Sequence, residues 1–124
     1  MDYKATVTEA SRELTAREKI KFKDLSDAIA MDTAVTEDEA LIIEPTAYAI
    51  IDVHNEKSDN KDYRKYVIEA ANGQLYCTGS ESFWKSFKDI WDEMEGEDDE
   101  WSLKVYKKES ANYKGKQFIT CSIV

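Results

Sequence analysis

From residue 41 onward the chain reads as strands, either rich in Ile, Val and Tyr or alternating apolar with polar, except over one short span where apolar residues recur every three or four positions. That change of period limits the fold more than any other feature of the chain. Phe83, Trp84, Phe87, Ile90, Trp91 and Met94 fall on one face of a helix, with Lys85, Ser86, Lys88, Asp89, Asp92 and Glu93 on the other. Thr78 with Glu81 three residues on forms a candidate capping box, Ser80 is a competing N-cap, and Gly96 is a stop signal. Large apolar residues in a single stripe read as core, not as a cofactor box.

Strand-like segments surround that helix. LIIEPTAYAIIDV, residues 41–53, is the strongest strand signal. Its Pro45 lacks a backbone donor and marks a bend, a bulge or the start of a new strand. YRKYVIEA (63–70) and QLYCT (74–78) flank Asn72-Gly73, a hairpin signal in which both turn positions favour positive φ. WSLKVYKK (101–108) sends Leu103 and Val105 one way and Lys104, Tyr106 and Lys108 the other. KQFITCSIV (116–124) groups Ile119, Cys121 and Ile123 on one side and Lys116, Phe118 and Thr120 on the opposite side. HNEKSDNKD (54–62) and SANYKG (110–115) read as loops. The order β-β-β-α-β-β is that of an OB-fold, a mainly β, five-stranded Greek-key barrel with one helix between the third and fourth strands.

Residues 1–40 fall outside such a core and read as an N-terminal β extension of a single domain spanning 1–124. Residues 1–16 are polar and predict a frayed segment or a short helix. Glu18–Phe22 alternates, with Ile20 and Phe22 opposite Lys19, Lys21 and Lys23, and predicts a half-buried strand. The row Arg17, Lys19, Lys21, Lys23 is then the wet face of an edge strand blunted by lysine. Ala28–Met31 predicts a weaker strand, and 33–40 a loop.

The longest apolar run, Ala47–Ile51, is far too short to cross a bilayer, and the N-terminus has no apolar signal segment. Cys77 and Cys121 lie in apolar strand patterns without a CxxC or Cys/His pairing, which points to buried reduced thiols in a cytoplasmic protein. Net charge −9 argues against a nonspecific binder of duplex DNA with a basic face all round. The charge is unevenly spread, however. Residues 104–124 hold five lysines and one glutamate, whereas eight carboxylates fall between Asp89 and Glu100.

VYKKESANYKGKQF, residues 105–118, therefore stands out. With Val105, Ile119 and Cys121 turned to the core, Lys104, Tyr106, Lys108, Lys116 and Phe118 face outward, and Tyr113, Lys114 and Gly115 sit in the joining loop. Exposed rings ringed by ammonium groups suit single-stranded nucleic acid, because rings stack on bases and lysines track phosphates. The 54–62 loop and its flank add His54, Asn55, Lys57, Lys61, Tyr63, Arg64 and Lys65. In an OB-fold these two loops flank the nucleic-acid groove. The expected nucleic-acid-binding residues are thus Lys57, Lys61, Tyr63, Arg64, Lys65, Lys104, Tyr106, Lys108, Tyr113, Lys114, Lys116 and Phe118.

Catalysis has little to work with. His54 is the single histidine, and no GxGxxG, GxxxxGK[ST] or HExxH occurs. The 52–62 carboxylates lack the glycine and terminal glutamate of an EF-hand, and the 93–100 acid cluster is weak as a metal site. The expectation is no enzyme, no metal and no cofactor.

The stretch from AIIDVHNEKSDNKDYRKYVIEAANGQLYCTGSESFWKSF through VYKKESANYKGKQFITCSIV resembles the small OB-fold single-stranded DNA-binding proteins encoded by phages and related mobile elements of Gram-positive bacteria. The resemblance covers roughly residues 41–124 and rests on the hairpin followed by TGSESFW and on the closing YKGKQF strand. It implies an accessory of DNA replication or recombination that coats exposed single strands in the host cytoplasm. It further implies that the two loops and the outer strand faces carry the DNA. Many bacterial relatives in function end in an acidic partner-recruiting tail, whereas this chain ends on CSIV. Replication or recombination proteins would then meet another surface, with the 89–100 acid run a candidate. Residues 1–40 would add strands or mediate homo-oligomer formation. The rival reading is an acidic protein-binding module, such as a phage inhibitor of a host factor that mimics nucleic acid.

Overall fold

Pro45 splits the longest strand signal in two, and the two pieces join different sheets. In the computed structural model, which describes residues 3–36, 38–57, 59, 61–97, 100–109 and 117–124, Leu41–Ile43 is β3 and Pro45–Asn55 is β4. The other strands are β1 (Tyr3–Ala10), β2 (Ile29–Ala30), β5 (Asp62–Ala70), β6 (Leu75–Thr78), β7 (Leu103–Glu109) and β8 (Gln117–Ile123). The helices are α1 (Ala16–Lys23), α2 (Met31–Ala34) and α3 (Glu81–Met94). One sheet has the order β1-β4-β5-β6-β2 and the other β3-β7-β8. The chain is mainly β, as its pattern predicts, but the strands form two sheets and not a closed barrel. The physical reason lies at Pro45, which has no N–H to donate to a continuing ladder.

By contact density the described chain forms two compact units, residues 1–29 with 45–79, and residues 30–44 with 80–124. In the first unit, β4 is the central strand, paired antiparallel to both β1 and β5. Ala47, Ala49, Ile51 and Val53 project to one face, where they cluster with Val67, Leu75, Cys77, Leu14 and Phe22. Tyr48 and Ile50 on the opposite face are buried as well, so the strand is apolar on both sides. The 70–75 hairpin forms as its Asn-Gly pair predicts, with a different turn. Within this turn only Gly73 has positive φ, at 87°. The Ala70 N–H donates to the Gln74 carbonyl at 2.9 Å and the Gly73 N–H to the Ala70 carbonyl at 2.9 Å. A loop of residues 71–73 closed this way needs a left-handed residue only at its last position.

The expectations for residues 1–23 are corrected, whereas the weaker strand expected at 28–31 forms over Ile29–Ala30 as β2. Residues 3–10 form a strand, because Ala5 and Val7 alternate onto the core face opposite Val53 and Ile51. Residues 16–23 form a helix instead of the strand expected at 18–22. Thr15 is its N-cap, accepting from the Glu18 N–H, while the Glu18 carboxylate accepts from the Thr15 N–H. That capping box, with Arg, Glu and Lys around it, outweighs a five-residue alternation. Phe22 is buried but Ile20 is 64% exposed, so the two do not share a covered face. The Thr15 backbone N–H and the Arg12 side chain hold the Glu18 carboxyl below its ordinary pKa. Replacing Thr15 with Ala removes a cap worth about 1 kcal/mol. A drop of about that size in urea-derived stability, with loss of helical signal, is the expected result; an unchanged midpoint would refute the cap's role.

In the second unit α3 follows its periodicity. Ser80 is the cap that forms, its Oγ accepting from the Phe83 N–H at 3.2 Å, while Thr78 is buried at the end of β6. Gly96, at φ 85°, follows the last turn. Phe83 and Phe87 are wholly buried, and ring contacts run from Trp84 (4.9 Å) and Trp91 (5.9 Å) to Phe87, and from Trp91 to Trp101 (6.3 Å). Among the described residues no helix is long and apolar enough to cross a membrane.

Candidate nucleic-acid interface

The β3-β7-β8 sheet sorts its side chains by pairing register. Leu41 pairs with Val105 and Ile43 with Leu103, and Val105 pairs with Cys121. Residues directly opposite in antiparallel strands share a face. Leu103, Val105, Ile119 and Cys121 therefore lie together, and all are buried. Burial pushes the Cys121 thiol up to about 12, so it is an inert core group. α3 packs against β8.

The other face carries Ile42, Lys104, Tyr106, Lys108, Phe118, Thr120 and Ser122. Its pairs are Ile42–Lys104, Lys104–Ser122, Tyr106–Thr120 and Lys108–Phe118. Tyr106 and Phe118 are thus diagonal neighbours, a placement that puts their backbones about 7–8 Å apart. Phe118 is 37% exposed and Ile42 55%, Tyr106 is half-buried, and Lys104 and Lys108 are exposed. The Lys104 ammonium lies 5.7 Å from the centre of the Tyr106 ring. In a chain of net charge −9, this face has no carboxylate among the residues that β3, β7 and β8 direct to it. The carboxylate of Glu109 belongs to the opposite parity, with Gln117 as its strand partner.

The structure therefore brings Lys104, Tyr106, Lys108 and Phe118 together, as the alternation predicts. Tyr113, Lys114 and Lys116 lie outside the described residues. Lys57, Lys61, Tyr63, Arg64 and Lys65 belong to the first unit, and there they do not form one patch. Arg64 pairs with Asp52 at 2.8 Å, which raises its pKa further, and Lys61 pairs with Glu56 at 3.3 Å. Tyr63 packs against the apolar cluster beside α1. Lys65, opposite Ile51, is on that same side of the sheet, while Arg64, opposite Asp52, is on the other. The exposed Lys57 lies in the turn, its N–H donating to Asn55 Oδ1 at 3.0 Å.

Sequence reasoning missed Ile42, whose signal was hidden by reading 41–53 as one strand. Ser122 was legible from its parity with Phe118 and Thr120. Among the described residues no group of three His, Cys, Asp or Glu side chains is placed to hold a metal ion. No family model, no curated protein and no solved structure matches the chain.

Proposed function

We propose that this protein binds single-stranded DNA with little sequence preference, through the outer face of β3, β7 and β8. The observation that carries the reading is the carboxylate-free face joining two aromatic rings to two exposed lysines on an otherwise acidic chain. Bases stack on Tyr106 and Phe118, the ammonium groups of Lys104 and Lys108 meet phosphates, and the Thr120 and Ser122 hydroxyls lie beside the rings. The reading requires binding alone, with no reaction and no cofactor. Its biological setting is replication or recombination of phage or mobile-element DNA in a cytoplasm, with replication or recombination proteins as further partners. The element order from β4 through β8, with the first strand divided at Pro45 between two sheets, supports kinship with OB-folds. Strands that switch sheets at a bend are a known way to turn a corner.

A second reading, an acidic module that occupies a nucleic-acid site on another protein, is favoured by one observation. Asp89, Asp92 and Glu93 form an exposed carboxylate row along α3. Anisotropy titration of a labelled oligo-dT separates the two. On the first reading, log Kobs falls with log salt at a slope of about −1.4 for Lys104 and Lys108 alone, steepening to about −2.8 with Lys114 and Lys116 engaged. No binding at low salt, or binding indifferent to salt, rejects it.

A further inference from the structure

A different constellation sits where β4 hands over to β5 in the first unit, and it owes nothing to the DNA reading. The His54 ring uses both nitrogens. Nδ1 lies 2.7 Å from Asp62 Oδ1 and Nε2 lies 2.5 Å from Glu56 Oε1. A carboxylate only accepts, and a neutral imidazole offers one N–H and one lone pair. Both contacts can be hydrogen bonds only when the ring is an imidazolium. We infer that His54 is a proton-gated tie, closing the ends of β4 and β5 on each other when charged and releasing them when it loses its proton.

The surroundings fit that role. Glu56 follows the His54 strand end and Asp62 opens β5, so the ring bridges the two ends of the connection. Beside it the Asn55 N–H donates to the Lys61 carbonyl at 2.7 Å, a bond that reports whether the ends are closed. The charged groups around the ring come from every neighbouring strand. Lys4 lies opposite on β1, Asp52 and Arg64 pair with each other on β4 and β5, and Lys61 shares the Glu56 carboxylate. Asp52 and Lys61 are thus already compensated, and Lys4 opposes the imidazolium, leaving Asp62 and Glu56 as the groups that favour it. The tie borders a cavity of about 480 Å³ lined by Lys4, Thr6, Asp52 and Arg64 among others, so its state sets one rim of that space.

The electrostatics agree in direction. The Asp62 hydrogen bond first, and that of Glu56 second, raise His54 above its ordinary value of 6.5. Its imidazole and Lys61 lower Glu56 in turn. A histidine with a raised folded-state value contributes fully below 6.5, and its contribution is lost as pH climbs through the raised value. The ring is partly exposed, so the change is local to the β4–β5 ends.

His54 is the single histidine of the chain, so its ring protons can be followed without ambiguity by NMR. The experiment titrates the full chain from about pH 5 to about pH 8 and reads the ring shift and the Asn55 amide protection factor together. The expected midpoint lies above 6.5, and Asn55 protection is lost with that same midpoint. Asp62→Asn and Glu56→Gln each move the midpoint down. His54→Gln, checked for folding by its amide spectrum, shows Asn55 protection that is low at all pH values. A wild-type midpoint at or below 6.5, or Asn55 protection that does not change with pH, overturns the proposal.

Discussion

Phe118→Ala weakens oligo-dT binding by about 5- to 150-fold, the equivalent of one lost base stack of about 1–3 kcal/mol. The thermal midpoint falls by no more than about 3–5 °C, because Phe118 is more than a third exposed and fills no core site. Tyr106→Ala acts in the same direction with a larger structural cost, since its ring is half-buried and carries the Lys104 ammonium. The pair of measurements separates stacking from packing. If both variants unfold, the rings are structural; if both fold and bind as the parent does, the face is not the site. A double variant tests whether the rings serve one strand. Losses that add to less than their sum indicate a shared ligand segment, because residues acting on one partner couple.

The largest effect on stability belongs to Phe87→Ala, at about 3–5 kcal/mol. Phe87 has no exposed surface and stands at the middle of the α3 ring series, in contact with Phe83, Trp84 and Trp91. Its removal leaves a void lined by rigid rings, which collapse poorly into an empty space. Against a total of about 5–15 kcal/mol for a domain, such a loss brings the variant close to unfolding at ambient temperature. Urea unfolding followed by tryptophan fluorescence measures it directly, since Trp84 and Trp91 touch the void. Phe87→Leu restores part of the volume and costs less. A Phe87→Ala loss below about 1 kcal/mol would contradict the central place given to this ring.

α3 and the faces of β7 and β8 were legible because each rests on a strong local signal. The helical stripe is made of large side chains at unbroken spacing, and Tyr106 and Phe118 alternate with buried Val105, Ile119 and Cys121. The N-terminal elements were hidden because their apolar residues are few and small. β1 shows its core only a Val and alanines, and α1 buries only Phe22. Ile20 imitated an alternation that the Thr15 cap overrides. The pairing of cations was not legible at all. Arg64 with Asp52, and His54 with Asp62, are cross-strand partners whose separation in sequence depends on the β4–β5 register. A segment that looks basic in one dimension is therefore partly neutralised in three, with Lys61 and Arg64 held by carboxylates. The division into two sheets turned on Pro45, which was recognised as an interruption without revealing where each half would pair.

The route of the backbone has one more outcome. It leaves the first compact unit at residue 29, returns at 45, and departs again at 79. Neither half is a continuous piece of polypeptide: a cut after residue 79 keeps every segment of the first unit on one fragment but parts residues 30–44 of the second unit from 80–124. On the ribosome, the earlier half waits for β6 and the later half for β8 before either can close its sheet.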